Sequence, residues 1–241
     1  MFEKVVKLQI LILGLIIGLA LIFATRIVSK SLPNEGISVT GSAYEIVQSD
    51  SGRFEFDITT RRPNRKLAYE TVQNQIPKVI SYLKQKGFTD NDIEIKMSNG
   101  YVTYKTLPNG NTTNEPAYYN LYQPISVKSN NVQMIKDVST DINKLISQGI
   151  DINTREPEYY YSKLSDLKVK LLKDATKDAK QRASAMLNAT HNRTGCIQSV
   201  KMGVFQITPV DSNNVSDMGI NDTTTIEKKV TAVANVVFRI K

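Results

Sequence analysis

Arg53-Phe54-Glu55-Phe56-Asp57-Ile58 puts an apolar side chain on every second residue and a charge on each residue between. Side chains alternate across a pleated strand, so Phe54, Phe56 and Ile58 share one face and Arg53, Glu55 and Asp57 the other, as in a half-buried strand. The period then changes. From Arg65 to Lys86, Val72, Ile76, Val79, Ile80 and Leu83 form a helical stripe that ends at Gly87, a residue suited to closing a helix. Pro77 sits inside the stripe; it has no N–H to donate and crowds the preceding turn, which predicts a kink near residues 73–77 or a split there.

Before this unit, Ile37, Val39, Tyr44 and Ile46 read as extended chain, and Asp50-Ser51-Gly52 reads as a hairpin turn into the alternating strand. After it, Ile93, Ile95 and Met97 alternate and lead through Tyr101–Tyr104 into a polar, turn-forming tip at residues 107–114. Leu121, Ile125 and Val127 resume the alternation. Val132, Ile135, Val138, Ile142, Leu145 and Ile146 mark a second amphipathic helix, opened by Asn130 or Asn131 and closed by Gly149. Ile150 and Ile152 begin a strand that runs towards Tyr159-Tyr160-Tyr161. The longest helix, near 163–189, is capped by Ser162 or Ser165 and carries Leu164, Leu167, Leu171, Ala175, Ala179, Met186 and Leu187 on one stripe. Asp166 with Lys170 and Asp178 with Arg182 are i,i+4 pairs on its wet side. An extended segment near 197–209, a polar loop 211–226 and a last strand near 228–240 follow. The order ββα-ββα-βα-ββ predicts an α+β fold, mainly antiparallel sheets with packed helices.

The amino-terminal segment differs from all of this. Ile10–Ala24 has no polar side chain, and Leu8 to Val28 supplies the ~20 residues that a helix needs to span ~30 Å of hydrocarbon. An uncleaved single-pass signal anchor is the favoured reading over a cleaved signal, because no A-x-A-like site follows the apolar run; Ser29-Lys30-Ser31 is the nearest match. The expected organisation is therefore a transmembrane segment at 1–30, a linker at 31–36 and one body at 37–241. It is expected at the cell membrane, with the body extracytoplasmic, periplasmic or extracellular.

The chain has 241 residues with 31 Lys+Arg against 23 Asp+Glu, a net +8. Charges are interleaved and no cationic run reaches five, so no nucleic-acid partner is expected. One cysteine, Cys196, excludes an intrachain disulfide and a CxxC zinc or redox site. One histidine, His191, limits Ser-His-Asp or Cys-His catalysis to a pair five residues apart at a helix end, with no GxSxG elbow; a polar helix-end imidazole and a small buried thiol is the simpler reading. Walker A, GxGxxG, HExxH and EF-hand patterns are missing from the sequence. No catalytic residue, cofactor or metal is expected. Glu45, Glu55 and Asp57 lie near Arg53, Arg61 and Arg62, where cross-strand ion pairing is favoured over acid–base work. The candidate contacts are tyrosines: Tyr118, Tyr119 and Tyr122, and Tyr159, Tyr160 and Tyr161. Their rings suit a subunit interface or core packing first and a ligand second.

Ile37-Ser38-Val39-Thr40-Gly41-Ser42-Ala43 resembles the opening strand of the SIMPL-domain family, a domain of unknown function. Further resemblances follow in order: Ala68, Lys86-Gly87-Phe88 with Asp92-Ile93, the strand Tyr118–Val127, Gly149-Ile150, and the helix Leu167…Leu171…Asp174-Ala175…Asp178-Ala179-Lys180…Arg182-Ala183 before Gly195. Ala43 stands where a second glycine is common. The resemblance implies export to the cell envelope, a link to oxidative-stress tolerance, and channel-like oligomers in some members; it supplies no catalytic residues. The expected function is a membrane-anchored, envelope-facing protein acting through self-association, as a homo-oligomer, or through an envelope protein or polymer partner. The alternative is cell-wall polymer binding or hydrolysis through Tyr118, Tyr119, Tyr159 and the Glu55/Asp57 acids.

Overall fold

The computed structural model describes residues 13–26 and 36–241. The chain divides into two compact units: a larger one, Ser42–Ala175 with Gly203–Val233, and a smaller one, Met1–Gly41 with Thr176–Met202 and Ala234–Lys241. Helix α1 covers residues 13–26, about 21 Å at ~1.5 Å per residue. Among the described residues no helix is long and apolar enough to cross a membrane. The expected span from Leu8 to Val28 begins and ends outside the described residues, as do the boundary at residue 30 and most of the expected linker.

In chain order the remaining elements are β1 (Gly36–Gln48), β2 (Ser51–Arg62), α2 (Arg65–Gln85), β3 (Ile93–Ile95), β4 (Asn99–Thr106), β5 (Thr112–Ser129), α3 (Val132–Asp141), β6 (Asp151–Thr154), β7 (Glu158–Tyr160), α4 (Leu164–Asn188), β8 (Thr194–Met202), β9 (Gln206–Pro209), β10 (Ile220–Asn221) and β11 (Glu227–Ile240). The fold is α+β, as expected.

In the larger unit a six-stranded sheet is ordered β3-β5-β2-β6, with β4 also on β5 and β7 also on β2, every pair antiparallel. The alternation of β2 is realised: Phe54, Phe56 and Ile58 are buried with Ile125 and Val127 of β5 and with Val72, Val79 and Leu83 of α2 and Ile135 and Val138 of α3. Each such side chain contributes ~1.5–3 kcal/mol on full burial. Both helices start at asparagine caps. Asn64 Oδ1 accepts from Leu67 N at 2.8 Å, and Asn131 Oδ1 from Gln133 N at 3.1 Å and Met134 N at 3.3 Å. Gly87 and Gly149, at φ +100° and +78°, turn the chain out of the helical segments before Phe88 and Ile150.

Three expectations are corrected, and the alternatives at Pro77 are narrowed. Pro77 does not split α2: it and Gln73, whose carbonyl loses its donor, both lie on the exposed side, where water serves that carbonyl. Asp50–Gly52 is not a hairpin turn, because β2 belongs to the six-stranded sheet and β1 pairs in the other. Asp50 instead accepts from Ser162 N at 2.8 Å and Ser162 Oγ at 2.6 Å, ahead of α4. Met186 is 57% exposed and leaves the stripe of α4, which continues through the buried Ala183 at four-residue spacing from Ala179 and Leu187. Lys170 pairs with Glu45 rather than with Asp166, whereas Arg182 meets Asp178 at 2.8 Å.

The central strand β5 contains a proline, and the neighbouring edge adapts to it. Lys96 N donates to Pro124 O at 3.0 Å, but the reciprocal bond from residue 124 cannot form. Gln123 Nε2 supplies the missing donor, reaching Lys96 O at 2.5 Å. The ladder on β5 then slips by one residue between Ile95↔Ile125 and Asn99↔Tyr122. This bulge separates β3 from β4, while Lys96, still in the register of β3 opposite Pro124, shares the face of Glu55 and Asp57.

Also in the larger unit, β9 pairs with β11 antiparallel over Lys228↔Pro209 to Thr231↔Gln206, and β10 joins β9 in a parallel pair. Val47, Leu167, Leu171, Ile207, Val230 and Ala232 form a second core there. The loop before β11 is tied down by the buried Lys228, whose Nζ donates to Asp222 O at 2.8 Å. In the smaller unit, β8 pairs with the end of β11 from Met202↔Ala234 to Thr194↔Ile240. Ala179, Ala183, Leu187, Ala234, Val236 and Phe238 are buried there.

Candidate binding face

Cross-strand partners share a face, so the register puts Arg53, Glu55, Asp57, Thr59 and Arg61 of β2 with Tyr118, Asn120, Tyr122, Ser126 and Lys128 of β5, on the side of the sheet away from the core phenylalanines. The carboxylates of this face are held by cations. Glu55 receives Lys96 Nζ at 2.5 Å and Arg155 Nη1 at 2.8 Å, with Arg53 Nη1 at 3.6 Å. Arg155 Nη2 continues to Asp57 Oδ2 at 3.2 Å. Glu158 receives Arg53 Nη2 at 2.6 Å and the Tyr160 hydroxyl at 2.7 Å. The hydrogen bond from Lys96, reinforced by Arg53 and Arg155 and opposed by partial burial, holds the Glu55 carboxyl below the usual carboxylate range. The hydroxyl of Tyr160 and then Arg53 do the same for Glu158. Carboxylates poised this way are acceptors for cations; ion pairing is what the structure contains, but of the expected partners only Arg53 takes part, and Arg61 and Arg62 do not. Glu45, grouped with them in the sequence, pairs with Lys170 instead. Asp57 is buried, and its Oδ1 has no protein hydrogen-bond partner.

The six candidate tyrosines do not stay together, because alternation divides them. Tyr118 is exposed beneath the Arg61 guanidinium, 3.9 Å from its ring centre. Tyr122 stacks on Tyr101 with ring centres 5.9 Å apart and an interplanar angle of 20°, and donates to its hydroxyl at 3.3 Å. That bond, then burial, raises the pKa of Tyr122. Tyr119, one residue out of phase, points to the opposite face; with Arg65, Tyr69 and Tyr101 it lines a hollow of about 600 Å³. Tyr160 is exposed, and burial together with Glu158 raises its pKa. Tyr159 is buried at 4% exposure in the main core, where burial pushes its hydroxyl pKa up, and Tyr161 packs on the second core. The face therefore gathers Tyr101, Tyr118, Tyr122 and Tyr160, but not Tyr119, Tyr159 or Tyr161.

Lys96 and Arg155 were not singled out by the sequence. Both continue the registers of their ladders, Lys96 opposite Pro124 and Arg155 opposite Glu55, to whose carbonyl its N–H donates at 3.1 Å. His191 follows α4 at φ +60°, and Cys196 is exposed on β8 rather than buried, since that strand is open to solvent along most of its length. Among the described residues, no group of three His, Cys, Asp or Glu side chains is placed to hold a metal ion.

No curated protein matches the chain. A family model described as SIMPL, a protein of unknown function (DUF541), matches residues 37–238. That span holds every strand but the ends of β1 and β11 and all of the sheet face just described, and on it the chain belongs to the SIMPL family.

Proposed function

We propose that this protein is a membrane-tethered, envelope-facing binding and assembly module that carries out no chemistry of its own. The observation that carries this reading is the open sheet face, on which Glu55 and Glu158 are held charged by paired cations while Tyr101, Tyr118 and Tyr160 stay 59%, 41% and 39% exposed. Rings and fixed charges of this kind offer contact area and hydrogen bonds rather than a mobile proton. Tethering is supported by α1, whose Leu13, Leu15, Ile16, Ile17, Leu19 and Phe23 are all more than half exposed, on every side of the helix. Self-association is supported by β8, where Ile197, Val200 and Met202 lie opposite the buried Phe238, Val236 and Ala234 yet remain 47–59% exposed.

The test is light scattering of the full chain in nanodiscs over a range of protein concentrations, with crosslinking in cells. A defined oligomer or a reproducible envelope partner is the expected result. A monomer at every concentration together with no crosslinked partner refutes the reading. A second reading, polymer binding through the tyrosines, is favoured by the exposure of Tyr101 and Tyr118; unchanged pull-down by cell-wall polymer after Tyr101→Ala and Tyr118→Ala would sink it.

A further inference from the structure

We propose that Arg61, Arg62, Arg65 and Lys66, with the tyrosines around them, dock the larger unit on the anionic headgroups of the bilayer that tethers the chain; this rests on the tethered reading above. Arg61-Arg62-Pro63-Asn64-Arg65-Lys66 puts four cations in six residues at the corner between β2 and α2. Lys66 meets Glu70 at 3.8 Å, but among the described residues Arg61, Arg62 and Arg65 have no carboxylate partner. The first turn of α2 holds no acid either. Elsewhere on the same sheet Arg53, Lys96 and Arg155 are each clamped by a glutamate. Gathering like charges without counter-charges costs a fold stability, and the cost is recovered when an anionic surface supplies them.

The neighbours of these cations select the kind of surface. Tyr69 is 53% exposed, Tyr101 59% and Tyr118 41%. Arg65, Tyr69, Tyr101 and Tyr119 line the 600 Å³ hollow, and at the same end of β2, on the other face of the sheet, the Arg61 guanidinium lies on the Tyr118 ring. Guanidinium groups take phosphate oxygens in pairs, and tyrosine places an apolar body and a wet hydroxyl at the level of lipid headgroups. The tether adds the argument of reach. Residues 27–35 separate α1 from Gly36, and nine residues extend over at most ~32 Å. The start of β1 therefore stays within that distance of the bilayer, at a high effective concentration of headgroups that no soluble polyanion shares.

The sequence has no tryptophan, so Tyr69→Trp in the full chain gives one reporter beside the cations. The chain is reconstituted into vesicles of phosphatidylcholine and into vesicles of phosphatidylcholine with phosphatidylglycerol. The expected result is a blue shift and quenching by brominated lipid on the anionic vesicles, reversed by salt and missing on the neutral ones. R61Q/R62Q/R65Q in the same background lowers the docked-to-undocked ratio by about fivefold per arginine, roughly a hundredfold in all, whereas R61K/R62K/R65K, which keeps the charges but not the paired N–H donors, loses less; circular dichroism verifies that both variants fold. Flotation of the same samples reads the tether separately, and every chain floats on both vesicles. A chain that does not float on neutral vesicles refutes the tether. A chain that floats but gives a tryptophan signal indifferent to lipid charge, or unchanged in the glutamine variant, overturns the docking. A signal raised by soluble polyphosphate and not by anionic vesicles also overturns it.

Discussion

Gln123 stands in for a backbone donor, and this makes a sharp prediction. Its side chain is 4% exposed and its Nε2 holds Lys96 O at 2.5 Å and Pro124 O at 3.2 Å. Gln123→Leu keeps the volume but leaves the Lys96 carbonyl without a donor, at a cost of about 1–3 kcal/mol. For a chain of this size a loss of about 2 kcal/mol lowers the melting temperature by roughly 4–8 °C. Pro124→Ala alone removes a preset φ and costs about 0.4–1 kcal/mol through the unfolded chain. Together the two changes should cost less than their sum, because the new N–H of residue 124 faces Lys96 O in the antiparallel pair that Lys96 N and Pro124 O already form. A recovery of about 1 kcal/mol is expected from a double-mutant cycle of urea midpoints at constant slope, measured on the full chain in detergent. If the single costs add within about 0.5 kcal/mol, the glutamine is not replacing the proline's donor and this account of the β3–β4 break is wrong.

Two more outcomes follow from buried or paired charges. Lys228 and Asp222 have side chains 4% and 7% exposed, and Lys228→Met should destabilise by about 3–5 kcal/mol by leaving Asp222 buried without its cation. Adding Asp222→Asn should return part of that loss, and a Lys228→Met cost below about 1 kcal/mol in denaturant titration would contradict the pairing. Asp141 is drawn from 3.8 to about 2 by hydrogen bonds from Lys144 and Lys86. A depressed folded-state pKa means that its contribution is fully present above about pH 4 and is lost as the pH falls towards 2. The stability gap between wild type and Asp141→Asn should therefore close over that interval, and a gap that persists unchanged at pH 2 argues against the assignment.

The strands and helices were legible where one face is buried, since burial enforces a period. Phe54, Phe56 and Ile58 gave β2 its face, and the glycines at 87 and 149 gave two helical segments their ends. Pairing was less legible: Asp50-Ser51-Gly52 has hairpin chemistry, yet β1 and β2 enter different sheets, and no local residue records which strand a neighbour chooses. Among the site residues, composition drew attention to two runs of tyrosine, but the two-residue period sends Tyr118 and Tyr122 to one face and Tyr119 to the other, and divides Tyr160 from Tyr159 and Tyr161. Applied to the candidates themselves, that period separates most of them without coordinates. Lys96 and Arg155 take the outward phase of their strands, but that they meet at Glu55 depends on which strands pair, which periodicity does not record.

The charges of the larger unit are in two electrostatic conditions, and this separates stability from function in any mutational series. Around Glu55, every charge already has its partner, so replacing Arg155 or Lys96 exposes a carboxylate and tests the fold, at the modest scale of partly exposed pairs. Around Arg61, Arg62 and Arg65 no ion pair is lost on substitution, because no carboxylate partner is present among the described residues; Arg61 has only the Tyr118 ring and Arg62 the Arg61 carbonyl. Glutamine there relieves mutual repulsion but gives up the Arg61–Tyr118 contact, so the melting temperature should change little. A binding defect in those variants would then come from the missing ligand contact and not from a weakened protein. That asymmetry makes the arginine corner a better place to look for function than the more conspicuous acid cluster a few residues earlier on β2.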